Sequence, residues 1–101
     1  MKPLTKLLII ARNYFKYRRY GWMKGSYLDS CDKDQATKCC ALGALILAKH
    51  NNPKLDVPYG ALKEPLYLAS ERGVANFNDN PHTTKQDIIA LYDKAIELSK
   101  K

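Results

Sequence analysis

The first 25 residues contain no aspartate and no glutamate. They hold seven basic side chains: Lys2, Lys6, Arg12, Lys16, Arg18, Arg19 and Lys24. Residues 26–101 carry ten basic and ten acidic groups, so the whole formal charge of +7 originates at one end of the chain. A charge confined in this way points to an anionic partner. Long apolar runs are also missing. The longest, residues 39–48, is ten residues, against the roughly 20 that a membrane-spanning helix needs. Residues 7–11 are apolar but stop at Arg12, too short for a signal h-region and without a small-residue cleavage site after them. The expectation is a cytoplasmic protein with no transmembrane segment.

Cysteine is scarce and badly spaced for a framework. Three Cys, two of them adjacent inside an apolar run, do not make a secreted disulfide scaffold. Buried, reduced thiols acting as small hydrophobes are expected. Cys31, Cys39, Cys40, His50 and His82 are the candidate metal ligands, and none shows the Cys-x-x-Cys or His-x-x-x-His spacing that gathers ligands locally. A Gly-rich phosphate loop and a Ser nucleophile motif are absent too. The expectation is therefore no metal, no cofactor and no catalytic set. With 46% hydrophobic and 27% charged residues, the 101-residue chain is globular rather than disordered, and residues 1–101 make one domain.

What is present reads as helix. Leu4, Leu7, Leu8, Ala11, Tyr14 and Phe15 recur at three- and four-residue steps and predict a first helix over residues 3–20, opened by Pro3 and stopped by Gly21. Lys2, Lys6, Arg12, Lys16 and Arg19 fall on its opposite arc with Tyr17 and Tyr20, while Arg18 falls on the core side. Residues 21–33 read as a loop. A second helix is expected to start at Asp32, which with Gln35 resembles a capping box, or at Asp34, and its body, residues 36–49, is apolar nearly all round and therefore central. Its small residues, Gly43 among them, invite another helix to approach. A third helix is expected over residues 59–72, broken by Pro65 and stopped at Gly73. Residues 74–81 read as a polar loop. A last helix over residues 85–99 is announced by Thr84 and Asp87. No segment reads as a strand. The expected fold is all-α: a compact small helical bundle of three long helices plus one shorter, Pro-broken helix.

Four of these segments occur together: Gly21-Trp22-Met23-Lys24-Gly25, Cys39-Cys40-Ala41-Leu42-Gly43-Ala44-Leu45, Phe77-Asn78-Asp79, and the stretch from Thr84 to Asp93-Lys94-Ala95-Ile96. Their order and spacing over residues 10–98 resemble an uncharacterised family of small bacterial and phage proteins, a domain of unknown function. Its members carry Gly-Trp-x-x-Gly, Cys-Ala-Leu-Gly-Ala and Trp-Asn-Asp segments. Phe77 departs from the Trp of that pattern, and the loop before the second helix is short. The resemblance implies a shared helical fold and a phage or prophage setting, and no activity.

Two candidate sites follow. The first is an anion-binding face of Lys2, Lys6, Arg12, Lys16 and Arg19 with Tyr17 and Tyr20, since cations suit phosphate and tyrosine suits bases. The second is a ligand site of Arg18, Trp22, Asn76, Asn78 and Asp79, with Asp79 or Asp29 expected to pair with Arg18. The functional expectation is a non-enzymatic binding module whose partner is a nucleic acid, a nucleotide-type ligand or an acidic protein surface. Alternatives are a protein–protein module that inhibits a host or defence protein, and a small enzyme using Cys31 or the loop at residues 76–80. A homo-oligomer is left open by the sequence.

Overall fold

Pro3 opens helix α1 (Pro3–Lys16), at a position where its missing N–H has no intrahelical partner to lose. In the computed structural model, which describes residues 1–71 and 73–101, α1 stops four residues short of the expected end. Tyr17 caps it, and Arg18 follows in the left-handed conformation, φ 61°. This turn carries Tyr20 off the basic arc and into the core. Its ring meets Tyr14 edge-on at 4.8 Å, and its N–H bonds the Tyr14 carbonyl at 3.2 Å. A left-handed non-glycine residue costs about 1–2 kcal/mol. Burying a tyrosine ring offsets that cost.

The loop that follows contributes to a two-stranded sheet, and Leu28 adds an antiparallel bridge to Cys39. Strand β1 (Gly21–Trp22) runs parallel to β2 (Lys38–Cys39), with Gly21 opposite Lys38 and Trp22 opposite Cys39. The expectation of no strand is thereby corrected. The pairing joins residues 17 apart in number, which local periodicity cannot show. Asp32 does accept an N–H, from Asp34 at 2.9 Å, but it caps only a 3₁₀ turn at Lys33–Gln35. Helix α2 (Ala41–Asn51) starts well after the expected Asp32 or Asp34, with Cys40 as its N-cap. It is buried almost throughout, as its all-apolar sequence requires.

Helix α3 (Tyr59–Ser70) runs through Pro65 without the expected break. Interior proline costs about 3 kcal/mol. Here Pro65 is buried on one face with Leu62, Leu66 and Ala69, and burial of apolar side chains is worth about 1.5–3 kcal/mol each. The helix ends at Glu71, φ 64°, while Gly73, φ 98°, bends the chain into α4 (Val74–Asp79). Arg72, the expected end of the third helix, lies outside the described residues. The short helix α4 replaces the polar loop expected over residues 74–81. Val74 and Asn78, one turn apart, are both buried and point its inner face at the core. Helix α5 (Lys85–Ser99) begins on the expected capping box, with Thr84 and Asp87 bonded reciprocally.

The chain is mostly helical, as expected, but with five described helices and a small two-stranded sheet where four helical elements were expected. Helix α5 lies against α1 and α3, and α1 also packs on α2. Fully buried Tyr92 ties α5 to the start of α2 by donating its hydroxyl to the Ala41 carbonyl at 2.5 Å. Thr5 and Ser99 share a buried hydroxyl–hydroxyl bond of 2.8 Å across α1 and α5. Among the described residues, no helix is long and apolar enough to cross a membrane.

Candidate functional site

The second candidate set converges on one buried amide. Asn78, 1% exposed, accepts the Trp22 Nε1–H at 2.7 Å and the Ala41 N–H at 2.9 Å on the same oxygen. Its amide nitrogen donates to the Met23 carbonyl at 3.1 Å and to Asp79 Oδ1 at 3.0 Å. Asp79 Oδ1 also accepts the Gly25 N–H at 3.0 Å, and Lys24 Nζ reaches the Asn80 carbonyl at 2.7 Å. The Gly-Trp turn, the start of α2 and α4 are therefore held by a single hydrogen-bonded junction. Asn78 supplies the N-terminal N–H of α2 with an acceptor from 37 residues away, and Cys40 Sγ accepts the N–H of Gly43 at 3.3 Å. Those orphan N–H groups, which would otherwise suit an anion, already have partners. Phe77 is half-buried against the core.

Arg18 is not part of this junction. Asp79 is engaged by Asn78 and Gly25, which hold its carboxyl below the usual carboxylate range, the Asn78 amide contributing most. Asp29 accepts the N–H groups of Thr37 at 2.8 Å and Lys38 at 3.0 Å, and the Thr37 hydroxyl. The expected pairing of Arg18 with either acid is corrected: Arg18 leaves the helix in the left-handed turn and is exposed. Asn76 is exposed on α4. Beside the junction lies a half-open cleft of about 450 Å³, with Tyr27, Leu42 and Val74 among its walls and Asp79 at its rim.

The structure also divides the basic face. Lys2 Nζ is spent on the carbonyls of Ser99 and Lys101, each at 3.2 Å. Arg12 pairs with Asp93 at 2.9 Å and bonds Asn13 at 3.2 Å. Tyr20, 5% exposed, offers no free ring face; Arg19 covers it at 4.7 Å from the centroid. Lys6, Lys16, Arg18 and Arg19 are exposed, and none of them forms an ion pair among the described residues. Tyr17 stands among the last three, 69% exposed, with Lys16 Nζ 5.7 Å from its ring. The β pairing sets a further cation nearby, since the exposed Lys38 lies opposite Gly21, two residues beyond Arg19. Lys38 escaped the sequence reading because only the strand pairing places it there.

Cys31 is exposed, and Cys39 and Cys40 are buried. Burial pushes the Cys39 thiol up to about 12 and raises that of Cys40, so both are neutral thiols near pH 7. The shallow groove beside Cys31 is lined by Tyr27, Leu28, Asp29, Ser30, Lys33 and Ile46, with no histidine among these described residues to act as its base. No group of His, Cys, Asp and Glu among the described residues is arranged to hold a metal ion.

Residues 1–98 match the model of a family of unknown function (DUF6197). The chain belongs to that family. No curated protein and no solved structure matches it. Family membership brings no activity with it.

Proposed function

We propose that this protein is a non-enzymatic binding module for a polyanionic partner, nucleic acid above all, held by the cationic segment that closes α1. One observation carries the reading. Lys16, Arg18 and Arg19 are exposed, form no ion pair among the described residues, and flank in sequence the most exposed tyrosine ring of the molecule, Tyr17, which Lys16 Nζ approaches to 5.7 Å. They belong to the stretch that supplies all of the net charge. Phosphates bound here would release counterions, the usual driving force for such contacts. A nucleotide enclosed in the cleft beside Asn78 is the less favoured form of the reading. Asp79 would repel its phosphates there, and Asn78 and Cys40 already occupy N–H groups of α2.

The test replaces Lys16, Arg18 and Arg19 with Gln together, leaving Arg12 in its pair with Asp93. Fluorescence anisotropy with a mixed-sequence oligonucleotide at low salt should show tight binding by the wild type and a large loss in the variant. Equal binding by both would refute the reading. A second reading, a module that inhibits a host or defence protein in a phage or prophage setting, draws on α3. Leu68 is 61% exposed and Tyr67 41% exposed on that helix. Leu68→Lys should abolish such a contact while leaving oligonucleotide binding intact, and binding of that kind should change little with salt.

A further inference from the structure

We infer that the nucleic acid is engaged as a single strand, with an unpaired base stacked on Tyr17; this rests on the reading above. Groove entry by α1 is poorly supplied. A helix that reads or tracks a duplex groove presents a row of free side chains along its length. On α1, Lys2 is bound to the carbonyls of Ser99 and Lys101, and Arg12 to Asp93, so the middle and start of the basic arc are occupied apart from Lys6. The free charge is gathered instead where the helix ends: Lys16 closes the last turn, and Arg18 and Arg19 follow where the chain is no longer helical.

At that end an exposed aromatic ring, Tyr17, has Lys16 Nζ 5.7 Å from its centroid and the exposed Arg18 and Arg19 next to it in the chain. Of the three tyrosines in the segment, Tyr14 and Tyr20 turn inward, and both hydroxyls accept from the Asn51 amide, at 3.1 and 3.2 Å. Tyr17 alone turns out, 69% exposed, with no burial to explain an aromatic at that position. Arg18 beside it sits at φ 61°, where glycine would be relaxed. The position therefore holds an exposed cation at the expense of backbone strain. A sequence-tolerant single-strand surface needs these two parts: a π face for any base, and cations for the flanking phosphates. Paired bases, closed in a duplex stack, cannot use the ring.

The test compares three probes by anisotropy: a single-stranded oligonucleotide, the corresponding duplex, and inorganic polyphosphate, which has charge and no bases. Tyr17→Ala should weaken single-strand binding by about 5- to 150-fold, the range of one base–aromatic stack, and leave polyphosphate binding unchanged. Tyr17→Phe should restore it. The wild type should prefer the single strand to the duplex. If Tyr17→Ala binds the single strand as well as the wild type does, while both still bind polyphosphate, the stacking inference is overturned and the polyanion reading stands. If the wild type binds none of the three in a salt-dependent way, both fall.

Discussion

Asn78 and Gly43 show how much of this fold hangs on single residues. Asn78 Oδ1 accepts both the Trp22 indole N–H from β1 and the Ala41 N–H at the start of the buried helix α2. Asn78→Ala would leave both donors unpaired, and each buried orphan costs about 1–3 kcal/mol. A loss of about 2–4 kcal/mol in denaturant unfolding is expected; a loss below 1 kcal/mol, the worth of one ordinary bond, would mean that the junction is not what holds α4 to α2. Gly43 was expected to admit another helix. What approaches it is the backbone of the loop: a Cβ there would run into the Tyr27 carbonyl, which also accepts the Cys40 N–H at 3.0 Å. Gly43→Ala should therefore destabilise by about 1–3 kcal/mol through overpacking, against the helix propensity that favours Ala. An unchanged melting temperature would contradict the close approach. The thiols give a simple check at the same scale. Cys31 should react rapidly with a thiol reagent in the native protein, and Cys39 and Cys40 only on unfolding. Rapid native labelling of all three would show that β2 and the start of α2 are open.

Elements were legible where their signals were local. The span of α5 follows from Thr84, Asp87 and the spacing of Ile88, Tyr92 and Ala95, and the core stripe of α1 from Leu4 to Phe15. The errors share one cause: each was decided by a partner distant in the chain. Cys40 rather than Asp32 begins α2, because β2 pairs with β1 and Asn78 supplies an acceptor from α4. Pro65 stays inside α3 because its neighbours are buried. Residues 74–79 are polar by composition, yet Val74 and Asn78 face inward. The candidate site was read in the same uneven way. Lys16, Tyr17 and Arg19 stand on the surface as their arc predicts, whereas Lys2, Arg12 and Tyr20 are engaged by the terminal carbonyls, Asp93 and the core, which no helical wheel can show. The end of α1 offers its own prediction. Arg18→Gly should raise stability by about 0.5–1 kcal/mol, the left-handed strain relieved less the entropy of glycine, while weakening oligonucleotide binding. A variant that is stabilised and binds as well as the wild type would show that Arg18 is only a strained cap.

At the scale of the molecule, two effects of charge can be separated by solution conditions. The Asp29 carboxyl is held at about 2, from an ordinary value of 3.8, by the Thr37 hydroxyl first and then by the N–H groups of Lys38 and Thr37. A depressed pKa contributes stability that is present above the unfolded value and lost as pH falls through the folded one. Melting temperature should accordingly decline as pH drops from about 4 toward about 2, and Asp29→Ala should flatten that decline. An equally steep decline in the variant would assign it to other carboxylates. The charge of +7 acts outward instead, since its source is one unbalanced stretch, three of whose free members, Lys16, Arg18 and Arg19, follow one another at the end of α1. The most direct test of that claim is the slope of log affinity against log salt for a single-stranded oligonucleotide, in the wild type and in the triple Gln variant at Lys16, Arg18 and Arg19. Each phosphate contact contributes about 0.7 to the slope on a single strand. The wild-type slope should be steep, and the variant's should be shallower by about 2 units. A wild-type affinity indifferent to salt, or equal slopes in the two proteins, would contradict the account.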